Sequence, residues 1–183
     1  MIIRSGIETI SETLDKVLGT RADRETTSRI KQLLTEEPEV RGAYDLIINN
    51  YGPDKNYASV HLELPDTMSV REVDRLTRKL EAKVYKATGV VLTGVGLYSY
   101  NTGDSEAARI QNDVTEKVLA HDWAVQLHGF YVDTETKEMT FDVVMSFDIQ
   151  PREGLQIIYA EMREAYPDYK ITITPDVDVS VTE

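Results

Sequence analysis

The chain carries one pattern twice, and that duplication limits the possible folds more than any single motif does. Residues 40–99 read strand, hairpin turn, strand, amphipathic helix, strand, and residues 125–180 read the same way. The closing segments match most plainly. Val90-Val91-Leu92-Thr93 runs on to Ser99, and Ile171-Thr172-Ile173-Thr174 runs on to Ser180. A helix-like stretch precedes the first strand of each copy. A repeat of about 80 residues is longer than a solenoid unit and has the size of a small α+β domain. The expectation is two copies of one domain in tandem, with function in sites on them or between them.

Local patterns agree with this. In the first copy a helix capped by Asp23 or Thr26 carries Ile30, Leu33 and Leu34 inward and ends at Glu37-Pro38. Ala43, Leu46 and Ile48 lead to a turn at Gly52-Pro53-Asp54-Lys55-Asn56. On the return strand Ala58, Val60, Leu62 and Leu64 alternate with Ser59, His61 and Glu63. Ser69 and Glu72 have capping-box spacing before a helix with Val70, Val73, Leu76, Leu80 and Val84 inward. The second copy begins with a helix capped by Ser105 and carrying Ile110, Val114, Val118 and Leu119. Strands over 124–132 and 139–147 join at Asp133–Lys137. Pro151 opens a helix with Leu155, Ile158, Met162 and Ala165 inward, and a last strand covers 170–180. Each unit is thus αββαβ.

The fold class is α+β: two tandem αββαβ ferredoxin-like units, each a three-stranded sheet with helices on one face. The units span 20–100 and 105–183. Before them, Ile3, Ile7, Ile10, Leu14 and Val17 mark a short N-terminal helix over 1–19 with a narrow apolar stripe.

Charge narrows the partners. The net charge of −12 falls almost wholly on the second copy: residues 1–104 carry −2 and residues 105–183 carry −10. Such a surface repels phosphate backbones, so nucleic acid is not an expected partner, while divalent cations are attracted. With no cysteine, thiolate metal sites and disulfides are excluded. No stretch is apolar enough to span a bilayer. Catalysis is not expected: a Cys nucleophile, a Gly-x-Ser-x-Gly elbow and a phosphate-binding Gly-rich loop followed by Lys are all missing. Gly94-Val95-Gly96 is too short for a dinucleotide loop and reads as close backbone packing or a bulge. His121 reads as a helix C-terminal cap, and Trp123 as a core anchor.

Three strings carry a resemblance. "IIRSGIETISETLDKVLG" resembles the end of the last transmembrane helix and the linker of cation diffusion facilitator transporters. "VRGAYDLIINNYGPDKNYASVHLELPDTMSVREVDRL" is similar to the first half of their cytoplasmic C-terminal domain. "VQLHGFYVDTETKEMTFDVVMSFDI" resembles a second copy of it. The resemblance implies a cytosolic tail, on the cytoplasmic face of the membrane, of a transporter that exchanges Zn²⁺ or Mn²⁺ for protons. It implies attachment to a parent transmembrane domain, homodimer formation, cation sensing, and no transport by the tail alone. The first unit, nearer neutral, is the better dimer surface.

The resemblance also bears on ligands. Zinc-binding relatives place His at the positions of Tyr44, His61 and Asp74, and a His-x-Asp pair at Gly94 and Gly96. Only His61 and Asp74 survive here as ligands, so the familiar site is weakened, and Glu63, water or a dimer mate would have to complete it. In the repeat register Asp142 falls where His61 sits, and His128 falls close to Tyr44. Asp176 and Asp178 lie on the closing strand, where the first copy is glycine-rich. One His with two or three carboxylates suits a divalent cation. Two other readings stay open: a regulatory module for a small ligand or protein without a metal role, and a purely structural dimerisation domain.

Overall fold

Helix α1 (Arg24–Thr35) packs Ile30, Leu33 and Leu34 onto the first sheet. The computed structural model describes residues 24–52 and 55–176. The helix expected over 1–19 and the end of the last strand, including Asp178, lie outside the described residues. The remaining elements are β1 (Gly42–Asn50), β2 (Asn56–Pro65), α2 (Val70–Thr88), β3 (Val91–Tyr100), α3 (Glu106–Leu119), β4 (Ala124–Asp133), β5 (Glu138–Met145), α4 (Pro151–Ala165) and β6 (Lys170–Asp176). Among the described residues no helix is long and apolar enough to cross a membrane.

Among the described residues two three-stranded sheets form, in the orders β1-β2-β3 and β4-β5-β6. In each, the first two strands are antiparallel and the helix crossover returns the third parallel to the central strand. This is the duplicated αββαβ arrangement that the sequence pattern implies. The first core joins Ile30, Leu33 and Leu34 with Leu76, Leu80 and Val84 of α2 and with Ala58, Val60 and Leu62 of β2. The second joins Val114 and Val118 with Ile158, Met162, Phe141 and Val143. Both sets follow from period two on the strands and period 3.6 on the helices, so each sheet has one helix-covered face and one helix-free face.

Three helix starts hold where the sequence places them, whereas for α1 Thr26 lies inside the helix and Asp23 lies outside the described residues. Ser69 and Glu72 form a reciprocal capping box, Ser105 Oγ accepts from the Ala108 N–H, and Pro151 opens α4. Three positions depart. Val70, Leu119 and Ala165 are exposed, because each sits at a helix end beyond the reach of its sheet. Strand β5 stops at Met145 rather than 147. Ser146 Oγ bonds Asp148 through both its side chain and its backbone N–H, which turns the chain and leaves Phe147 exposed.

Candidate metal centre

The first strand of each repeat carries an irregularity at the same place, and β4 has a second between Ala124 and Gln126. In β1 the register against β2 shifts between Tyr44 and Ile47, and Asp45 has φ +53°. In β4 the register against β5 shifts between His128 and Tyr131, and Gly129 has φ +62°. Few residues besides Gly adopt this left-handed backbone; Asp is one of the more tolerant. A bulge re-aims the side chain it carries. Here it turns Asp45 out of the first sheet, toward the second repeat.

Three ligand atoms converge there. Asp45, His128 and Asp176 each offer one, and all lie within 4.8 Å of one another. His128 Nε2 stands 3.5 Å from Asp45 Oδ1 and 3.4 Å from Asp176 Oδ2. Ligands held tetrahedrally about 2.05 Å from a Zn²⁺-sized ion would be about 3.3–3.4 Å apart. Both separations are close to that spacing and are long for hydrogen bonds. His128 is 2% exposed, yet neither of its ring nitrogens makes a hydrogen bond. Buried imidazoles are normally satisfied. A side chain left so, facing two carboxylates, is chemically suited to a cation.

Supporting contacts hold the group in place. The His128 ring stacks on Tyr44 of the first repeat, with centroids 4.7 Å apart and planes 7° apart. The Tyr98 hydroxyl donates to Asp45 Oδ2 at 2.8 Å, and its ring stacks on His61. His61 Nδ1 comes within 2.8 Å of the same oxygen, but off the line a hydrogen bond requires, so it remains buried and unbonded. Asp45 therefore turns Oδ1, its other oxygen, to His128.

The electrostatics match this arrangement. The facing His128 ring is the main cause holding the Asp45 carboxyl down to about 2, against the opposing effect of burial. For His128, burial disfavours the proton, but Asp45, with Asp142 and Asp176 behind it, outweighs burial and raises the imidazole above its usual range. Burial, reinforced by Asp45 and Asp176, raises Asp142 above the ordinary carboxylate range. Tyr98 is pushed well above the usual phenol value by burial and by its bond to Asp45.

Comparison with known proteins places the first unit. Residues 22–93 match the model of the cation efflux protein cytoplasmic domain. The match lies within the first repeat. Solved structures similar to the chain include the metal-bound C-terminal domain of the CzcD transporter from Thermotoga maritima. It is 20% identical, with a TM-score of 0.40, over 44% of this chain and 93% of that one. Another is the zinc form of the putative zinc transporter CzrB, 24% identical with a TM-score of 0.38, over 41% of this chain and 85% of that one. The nickel form of a MamM C-terminal domain variant is 15% identical, with a TM-score of 0.37, over 44% of this chain and 100% of that one. None of the curated proteins is significantly similar to the chain.

The candidate ligands named from the sequence fall into three groups. His128 and Asp176 belong to the converging set. His61 and Asp142 border it: His61 through Asp45, and Asp142 as the cross-strand partner of His128. Asp74 lies apart on α2, exposed and paired with Arg78 at 3.1 Å. The register also relocates Asp176. His61 pairs with Gly96 and Asp142 with Thr174, so Thr174 is the counterpart of Gly96, and Asp176 is the counterpart of Tyr98. Gly96 serves packing, since a Cβ there would stand 2.1 Å from the His61 ring. The sequence reading missed Asp45. The available signals were the spacing from Ala43 to Leu46, which breaks the alternation, and the glycine that follows His128 in the other copy.

Proposed function

We propose that this chain is the cation-sensing cytoplasmic region of a divalent-cation exporter of the zinc and manganese type, one that exchanges its ion for protons. It would be joined to a parent transmembrane domain, pair with a second copy through the first repeat, and neither transport nor catalyse by itself. One observation carries this reading: Asp45, His128 and Asp176 converge, with the imidazole buried and unbonded. The family match of the first repeat supports it. One nitrogen and two carboxylate oxygens leave room for water in the coordination sphere. Sites of this kind bind Zn²⁺ more tightly than Mn²⁺. Asp45 and Asp176 keep partial exposure, so an ion reaches the site from solvent.

Calorimetric titration of the whole chain with Zn²⁺ and Mn²⁺ tests the reading. The expected result is saturable binding of one ion per chain, with Zn²⁺ the tighter. His128→Phe, which keeps the ring on Tyr44 but removes both nitrogens, should weaken binding by about 100-fold or more, the loss of a direct ligand exceeding the about 10–100-fold typical of an outer partner. His61→Ala should cost about tenfold or less. Absence of saturable binding to the unaltered chain would overturn the sensing role.

A further inference from the structure

The ligands come from different repeats of one chain: Asp45 from the first, His128 and Asp176 from the second. We propose that the cation is bound in cis, as a fastener between the two repeats of a single chain, without any residue from a second copy. This rests on the cation-binding role argued above and specifies how the site is assembled.

Three observations carry it. First, the helix-free faces of the two sheets already meet around the site. Tyr44 stacks on His128, and Tyr98 packs so closely over Gly129 that a Cβ there would stand 3.2 Å from its ring. Second, the linker is bonded to both sides. Thr102 donates through its N–H and its hydroxyl to Asp66 Oδ1 of the first repeat, at 3.2 and 2.7 Å. Asn101 donates through its N–H and its side-chain amide to Oε1 of the buried Gln111 in the second, at 3.1 and 2.9 Å. A short linker fixed at both ends gives the two ligand sets a high effective concentration for each other. Third, docking adds the Asp45 carboxylate to Asp142 and Asp176, which the second repeat already places beside His128. Their mutual repulsion opposes the docked state, and a divalent ion between the repeats would reverse that sign.

The test is complementation between two full-length variants. Asp45→Gly removes the first-repeat ligand and uses the residue the second repeat already has at the equivalent bulge, so the backbone is not strained. His128→Phe removes the second-repeat ligand and keeps the stacked ring. Zn²⁺ titration is run on the unaltered chain, on each variant, and on an equimolar mixture unfolded and refolded together. For a site in cis, each variant loses binding, and the mixture binds no more than the variants alone. The unaltered chain then binds with an affinity independent of protein concentration. Were the ligands shared between copies in a symmetric dimer, random pairing would restore about a quarter of the sites in the mixture, and that recovery would overturn the proposal. Failure of the unaltered chain to bind would instead overturn the sensing role on which it rests. Circular dichroism of both variants confirms that they fold, and the same Zn²⁺ addition should raise the melting temperature of the unaltered chain alone.

Discussion

The two repeats share a backbone but divide the chemistry unequally. At the bulge, the first repeat has Tyr44-Asp45 where the second has His128-Gly129. On the central strand it has His61 against Asp142, and on the closing strand Tyr98 against Asp176. Thus the first copy supplies one carboxylate of the converging set, Asp45, together with the rings that position it. The second copy supplies the imidazole, a carboxylate and the gap that Tyr98 fills. A symmetric pair of these units could not make this site. Asp at position 129 would collide with Asp142 and Tyr98, and Gly at position 45 would remove the carboxylate that faces His128.

The same contrast recurs behind the sheets. Glu37 follows α1 as His121 follows α3. Glu37 O accepts from Val40 and His121 O from Ala124, in matching turns. In the first repeat the Glu37 carboxylate reaches Lys79 and Lys83 of α2, and Lys83 also caps Leu33 O. In the second the polarity is inverted: His121 Nε2 lies 3.0 Å from Glu161 of α4 and stacks on Trp123. One helix–helix junction is therefore closed twice, once by a buried anion and once by an imidazole.

Three experiments would break or sharpen this comparison. The largest effect is expected at Gly129. Gly129→Ala places a Cβ 2.8 Å from Asp142 Oδ2 at φ +62° and should destabilise the chain by about 2 kcal/mol, read from urea unfolding. If stability does not change, the tight packing of Tyr98 over this strand is wrong. Next is Tyr98→Phe. It keeps the ring on His61 but frees Asp45 Oδ2, and cation affinity should fall about tenfold with little change in melting temperature. Equal affinity would remove Tyr98 from its positioning role.

The smallest effect concerns Glu37, whose carboxyl is held below its usual range by hydrogen bonds from Lys79 and Lys83. A depressed folded-state value stabilises the protein above the unfolded value, and this contribution is lost as pH falls through the folded one. Glu37→Gln should therefore narrow the stability difference between neutral and acid solution. Both lysines keep some contact with water, so the change at neutral pH should be about 1 kcal/mol or less. An unchanged acid limb in pH-dependent unfolding would show that the junction is held by packing alone.

Much of the fold was legible in the chain. Apolar alternation placed the strands, the 3.6-residue period placed the helices, and Ser69, Ser105 and Pro151 placed their starts, because these signals reflect contacts within one element or between neighbours. The correspondence of His128 with Tyr44 and of Asp142 with His61 was legible for the same reason: the two copies share a register. The strand after Met145 was read too long, because alternation continues through Phe147 while a side-chain bond at Ser146 ends the ladder.

By itself, then, the sequence determined the duplicated αββαβ units and their two cores, and it named His128 and Asp176 as candidates alongside His61, Asp74, Asp142 and Asp178. Only the tertiary structure decided that Asp45 completes the set. Its direction depends on a left-handed residue inside a bulge, and its partners lie on another sheet, more than 80 positions away in the sequence. Neither a local backbone irregularity nor the docking of two helix-free faces leaves a period in the sequence, because both are set by contacts between surfaces rather than along a strand.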